Sequence, residues 1–98
     1  MNIEQHLLTK LSEECAEIQQ KTSKASIFGR DSVAPSAPEA GDNEHCLNLE
    51  FNDLIGITEL LAEECGYRIS PNRELINAKK EKVKHYMKIS QNLGFTES

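Results

Sequence analysis

The sequence predicts an all-α protein, an antiparallel bundle of three main helices with one long loop and one short connector. Apolar residues recur every three or four positions in three segments, which is the helical period. Proline, glycine and small residues cluster between the first two segments, and Gly66 ends the second. We therefore expect a single domain, residues 1–98, with helices at about 3–26, 43–65 and 71–92 and a loop at about 28–41.

Each predicted helix begins next to a residue that can cap it. Asn2 precedes the first helix and has a glutamine three residues later, which is the pattern of a capping box. Asp42 or Asn43 can cap the second helix. Ser70 can cap the third, with Pro71 at its first position, where proline is favoured.

Length and charge exclude several classes of function. A chain of 98 residues buries a limited share of its surface, so a partner subunit would help to stabilise it. The net charge of −5 argues against general binding of DNA or RNA, which depends on basic surface. No apolar run approaches the roughly 20 residues of a membrane span.

The three cysteines and the N-terminal residues indicate a location. The cysteines number three and have no CxxC spacing, which disfavours a disulfide framework and a zinc site. No basic region leads into an apolar run at the N-terminus. We expect a protein of the reducing cytoplasm that does not bind membranes.

Acidic residues occur in pairs spaced three apart on the first two helices. With 100° of rotation per residue, Glu50 and Asp53 fall on the otherwise apolar side of the second helix. Glu14 and Glu17 fall at the edge of the apolar stripe of the first. Carboxylates in an apolar setting need a partner or a proton, and a divalent cation with a preference for oxygen ligands would satisfy all four.

The same acids also have a simpler interpretation as a solvated face. Glu14 lies four residues from Lys10, and Glu17 lies four from Lys21, so both could form surface ion pairs. The inward direction predicted for Glu50 and Asp53 is what favours a metal site over this alternative.

The third helix carries basic residues on its apolar side. Lys79, Lys82 and Tyr86 share the face of Leu75 and Val83. Such lysines could neutralise the outer oxygens of a phosphate chain, or their stems could simply cover apolar surface.

These motifs resemble those of the all-α nucleoside triphosphate pyrophosphohydrolases, the MazG-like family, in its short phage and bacterial type. The family pattern is EExxE on one helix and ExxD on the next. This chain has Glu13-Glu14-Cys15-Ala16-Glu17 and then Glu50-Phe51-Asn52-Asp53. Residues 23–29 and the third helix are also similar to those members.

The resemblance implies a metal-dependent enzyme. By position, the ligands of Mg²⁺, with Mn²⁺ as a possible substitute, would be Glu14, Glu17, Glu50 and Asp53. The family hydrolyses an NTP or dNTP to the monophosphate and pyrophosphate. It completes a four-helix active site in dimers or tetramers, so a homodimer or homotetramer is expected here.

A mechanism follows as a hypothesis. Glu13 or Glu17 would be the catalytic carboxylate that accepts a proton from the attacking water, as a general base. Residues expected to bind the nucleotide substrate are Lys24, Arg30, Lys79, Lys82 and Tyr86, with Phe28 as a candidate for stacking on the base.

Three other functions are compatible with helical acids. A non-catalytic dimerisation module would pair the inner acids across an interface. A hydrolase of another phosphorylated nucleotide, such as phosphoribosyl-ATP, would use the same metal site. A di-iron bundle is disfavoured because no ExxH motif occurs.

Overall fold

The computed structural model describes residues 1–97 and is built of helices. The elements in chain order are α1 (Ile3–Phe28), a 3₁₀ turn (Pro38–Ala40), α2 (Asn43–Cys65) and α3 (Arg73–Asn92). Within residues 1–97 the only β-type pairing is one isolated antiparallel bridge between Val33 and Asp42. The predicted all-α class with three main helices is therefore confirmed, and the long loop contains a short turn of its own.

Helix α1 begins, and α2 begins and ends, at the residues that the sequence indicates, whereas α1 continues to Phe28, past the predicted end at about residue 26. The Asn2 side chain accepts from the backbone N–H of Gln5 at 2.8 Å, and the Gln5 side chain accepts from that of Asn2 at 2.9 Å. The Asp42 side chain accepts from the N–H of His45 at 2.9 Å. Gly66 ends α2 in the left-handed conformation, with φ of 75°.

The start of α3 differs from the prediction. The side chain of Asn72 accepts from the backbone N–H of Leu75 at 3.0 Å, so Asn72 is the N-cap and α3 begins at Arg73. Ser70 and Pro71 consequently belong to the connector. Asparagine caps helices as well as serine does, and the sequence pattern alone does not rank the two positions.

Helices α1 and α2 pack against each other along an antiparallel interface. Leu61 of α2 is completely buried, and Leu7 of α1 retains 8% exposure. Tyr67, just after α2, lies beside Glu4 near the start of α1, and burial together with that carboxylate raises the pKa of the phenol. The end of α2 therefore meets the start of α1.

Asn43 ties the base of the long loop at the other end of this helix pair. Its buried side chain donates to the carbonyl oxygen of Gly29 at 2.9 Å, and its backbone N–H donates to that of Ser32 at 3.0 Å. These bonds satisfy polar groups that burial would otherwise leave without a partner. They fix the end of α1 against the start of α2.

Helix α3 lies apart from this pair. In the part of the chain that the structure describes, α1 and α2 form the one extensive helix interface, and α3 has no comparable contact with either. Leu75 is 71% exposed and Tyr86 is 59% exposed, although the sequence predicts that both face a core. The apolar side of α3 is therefore open to solvent in a single chain.

Two further features concern the chain as a whole. Within residues 1–97, no helix combines the length and the apolar character that crossing a bilayer requires. Cys15, Cys46 and Cys65 are all free thiols.

Candidate metal centre

Three of the four predicted ligands come together where α1 crosses the middle of α2. One carboxylate oxygen from each of Glu14, Glu50 and Asp53 lies within 4.8 Å of the others. Glu50 and Asp53 are three residues apart and so project from neighbouring turns of α2 toward the same turn of α1. We refer to Glu14, Glu50 and Asp53 as the acid cluster.

Glu14 occupies the least favourable position for a charge. Its Oε2 atom is buried and has no hydrogen-bond partner among residues 1–97. Burial raises the pKa of the Glu14 carboxyl, and the nearby carboxylates of Asp53, Glu50 and Glu17 raise it further. Glu50 is half-buried, whereas Asp53 is exposed, although the sequence predicts that it faces inward.

Among the residues that the structure describes, no basic side chain forms an ion pair with the acid cluster. Among residues 1–97, every ion pair closer than 4.0 Å involves a different carboxylate. Either a proton held between Glu14 and Glu50 or a bound cation would relieve the repulsion and satisfy Oε2. Carboxylate oxygens on two helices suit a hard divalent ion such as Mg²⁺ or Mn²⁺, so the residues present fit the metal that the motifs imply.

The raised pKa of Glu14 predicts a pH-dependent effect of Glu14→Gln on stability without divalent ions. The folded state holds the Glu14 proton to higher pH than the unfolded state does. The stability contributed by that proton is therefore complete at acidic pH and is lost as pH rises through the raised pKa. Glutamine carries no charge at any pH, so the variant should have the higher urea midpoint at pH 7 and lose this advantage toward pH 4.

Added Mg²⁺ should reverse the order at pH 7, because an ion that binds only the folded wild type raises its stability. Glu13→Gln is the matched control, since Glu13 is exposed in the same turn of α1 and should change the urea midpoint little. A variant less stable than wild type at pH 7 without metal would contradict this account of Glu14.

Glu13 and Glu17, the predicted proton acceptors, differ in their position relative to the acid cluster. Glu13 points to solvent, where its Oε2 lies 3.2 Å from Nζ of Lys10. Glu17 is exposed, and the three-acid grouping does not include it, but its charge acts on Glu14. The pairing expected between Lys10 and Glu14 is thus made by Glu13 instead, and Glu17 is the acid available beside the cluster.

The predicted substrate residues at the end of α1 lie at some distance. Phe28 is fourteen residues from Glu14, which corresponds to about 21 Å along the helix. The exposed Arg30 lies beyond it, with Nε 3.9 Å from a carboxylate oxygen of Glu44. Lys24 is nearer, and its carbonyl oxygen accepts from the Asn43 side chain at 3.4 Å. Arg30 and Phe28 therefore lie outside the surroundings of the acid cluster.

Lys21 is a basic residue for which the sequence predicts only a surface ion pair with Glu17. It is half-buried, and among residues 1–97 its ammonium forms no ion pair within 4.0 Å. The spacing of Glu14, Glu17, Lys21 and Lys24 alternates between three and four, which places all four on one side of α1. That spacing could have identified Lys21 as a companion of Lys24.

Lys79, Lys82 and Tyr86, the predicted substrate residues of α3, are all exposed. Because α3 has no extensive interface with α1 or α2 within residues 1–97, a single chain does not bring them to the acid cluster. Tyr86 instead packs edge-on against His85, with ring centroids 5.3 Å apart.

The chain has no match among protein-family models, curated proteins or solved structures. Its likeness to the MazG-like enzymes consequently rests on the order and spacing of short acidic motifs.

Proposed function

We propose that the protein is a Mg²⁺-dependent nucleoside triphosphate pyrophosphohydrolase that acts in the cytoplasm as a homodimer or homotetramer. The substrate would be an NTP or dNTP, and the products the nucleoside monophosphate and pyrophosphate. Mn²⁺ would substitute for Mg²⁺, because both are hard cations that take oxygen ligands.

The observation that carries the proposal is the buried Oε2 atom of Glu14, which has no hydrogen-bond partner in the described part of the chain and lies beside two further carboxylates. A surface carboxylate is in contact with water, whereas this oxygen is not. A carboxyl group with a raised pKa, such as Glu14, beside further carboxylates that converge from a second helix is typical of a functional site. Their EExxE and ExxD spacing supports phosphate chemistry through the resemblance given above.

The residues have separable roles in this scheme. Glu14, Glu50 and Asp53 would hold the metal, with Glu17 as a further ligand or as the base. When bound, Mg²⁺ supplies the positive charge that a triphosphate needs and makes a coordinated water more acidic. Glu17 would accept the proton of the attacking water, a role for which it is better placed than Glu13. Lys21 and Lys24 would attract the phosphate chain along the same side of α1.

The proposal is tested by measuring pyrophosphate release from a panel of NTPs, dNTPs and phosphoribosyl-ATP with Mg²⁺, Mn²⁺ or EDTA. We expect release from at least one triphosphate with either metal and none with EDTA. Cleavage of phosphoribosyl-ATP alone would keep the metal site and replace the substrate. No release from any substrate would contradict the enzymatic proposal.

A non-catalytic interaction module is the second candidate, and the exposed apolar side of α3 favours it. On that interpretation the acid cluster would be paired with bases of a partner and would not need a metal. Mg²⁺ would then leave the thermal midpoint unchanged, whereas a metal centre gains stability from its ligand. Absence of both pyrophosphate release and this stabilisation would assign the protein to the module class.

A further inference from the structure

The apolar side of α3 needs a cover that the described chain does not supply. Leu75, Val83, Tyr86 and Leu93 fall on one side of the helix and are each more than half exposed. From Leu75 to Leu93 this stripe is about 27 Å long. In proteins most of the stability of a helix comes from the packing of its apolar side, so α3 depends on such packing.

Two lysines restrict what can cover this stripe. Lys79 and Lys82 lie within the angular range of the apolar residues, while Lys80 and Lys84 point to the opposite side. A helix that lies on a lipid surface carries its lysines on the polar face, with the apolar face free of charge. The cover for α3 must therefore offer carboxylates within an apolar surface.

One side of α2 is such a surface, and we call it the α2 flank. It is exposed and combines two leucines, a glycine and two acids that fall within about 80° of one another on the helix. Its residues are Leu49, Asp53, Gly56, Leu60 and Glu64. Gly56 has open space where a side chain would stand, so a second helix can approach closely there.

The charges of the two helices are also complementary. Helix α2 carries six acidic residues and no lysine or arginine. Helix α3 carries six lysines and arginines and two glutamates. Opposite charges of this size favour pairing of α3 with α2 and disfavour pairing of either helix with itself.

We propose that α3 of one copy packs along the α2 flank of a second copy, and that the exchange is reciprocal in a two-fold symmetric dimer. The inference deepens the proposed function, because it rests on the oligomer proposed there and names the surfaces that join its subunits. Lys79 and Lys82 of each copy then lie on the side of α2 that carries Asp53. The partner thereby brings positive charge to the edge of the acid cluster.

Sedimentation velocity of the full chain tests the interface, in buffer without Mg²⁺ or nucleotide. We expect a dimer for the wild type and an increase of at least about 100-fold in its dissociation constant for Lys79→Glu/Lys82→Glu. Lys80→Glu/Lys84→Glu makes the same change of charge on the opposite side of α3 and should remain dimeric. All four positions are exposed, and far-ultraviolet circular dichroism checks that each variant is folded.

Mixing two defective chains tests exchange between copies. Leu49→Asp/Leu60→Asp should prevent the α2 flank from binding α3, and Lys79→Glu/Lys82→Glu should prevent α3 from binding the α2 flank. Each variant alone should therefore be monomeric. A mixed pair retains one intact contact, and the equimolar mixture should regain dimers that neither variant forms alone. A monomeric wild type, or a mixture that stays monomeric, would overturn the proposal.

Binding of a monomeric wild type to phosphatidylserine vesicles would likewise overturn it and assign α3 to a lipid surface. Failure to detect hydrolase activity would be a separate result. A wild-type dimer that follows this variant pattern but releases no pyrophosphate would uphold the interface and reject only the enzymatic activity.

Discussion

Glu50→Gln is expected to lower Mg²⁺-dependent pyrophosphate release at least about 100-fold. The substitution keeps the size of the side chain but removes one of the carboxylates that lie within 4.8 Å of one another. It also removes a charge that raises the pKa of Glu14, so the remaining acids lose much of their need for a cation. Pyrophosphate release at saturating nucleotide, with Mg²⁺ binding followed by calorimetry, separates weaker metal binding from slower chemistry.

Glu59→Gln is the matched control for this variant. Glu59 is an exposed acid of α2 that points away from α1, so its replacement should leave the rate within about twofold. Undiminished hydrolysis by Glu50→Gln would show that the acid cluster is not the catalytic centre. An equal loss in both variants would point to the overall charge of α2 instead.

Leu61→Ala is expected to lower the free energy of unfolding by about 2–5 kcal/mol, the largest single effect on stability. Leu61 is completely buried between α1 and α2, and truncation removes its contacts and leaves a cavity there. The free energy of unfolding of native proteins is only about 5–15 kcal/mol, so this substitution should remove a large part of the stability of the fold. Chemical denaturation followed by circular dichroism measures the change.

Leu8→Ala provides the comparison, since Leu8 stands beside the buried Leu7 but is 37% exposed. Its replacement should cost clearly less than that of Leu61. Similar losses for both variants would mean that the interface between α1 and α2 is not the main source of stability.

Local signals in the sequence were sufficient to predict α1 and α2. Asn2, Asp42 and Gly66 act on the backbone within one turn of themselves, so their effect does not depend on the rest of the fold. The meeting of Glu14 with Glu50 follows from the spacing of the acids and an antiparallel turn between their helices. The caps depend on no distant contact, and the meeting of the two acids depends only on the antiparallel packing of α1 and α2.

Features that depend on distant partners were not predictable in the same way. The period of α3 identifies its apolar stripe but not the surface that covers it, and so Lys79 and Tyr86 were expected beside a core that one chain does not provide. Asn43 was expected at most to cap α2, whereas its side chain bonds to Gly29 across the loop. The direction of a polar side chain is set by which carbonyl lies opposite it, and one sequence does not contain that information.

Because Asn43 bonds to Gly29 and Ser32, a change in the length of the long loop should not alter the geometry of the acid cluster. The Asn43 contacts close the base of the long loop, so residues added near Pro35 or Ser36 would extend only the outer part of this loop. Doubling such a loop costs only about 0.6 kcal/mol of closure entropy. Relatives of this chain could therefore acquire longer or shorter loops here, and with them new contacts to a substrate, while the spacing between α1 and α2 stays the same.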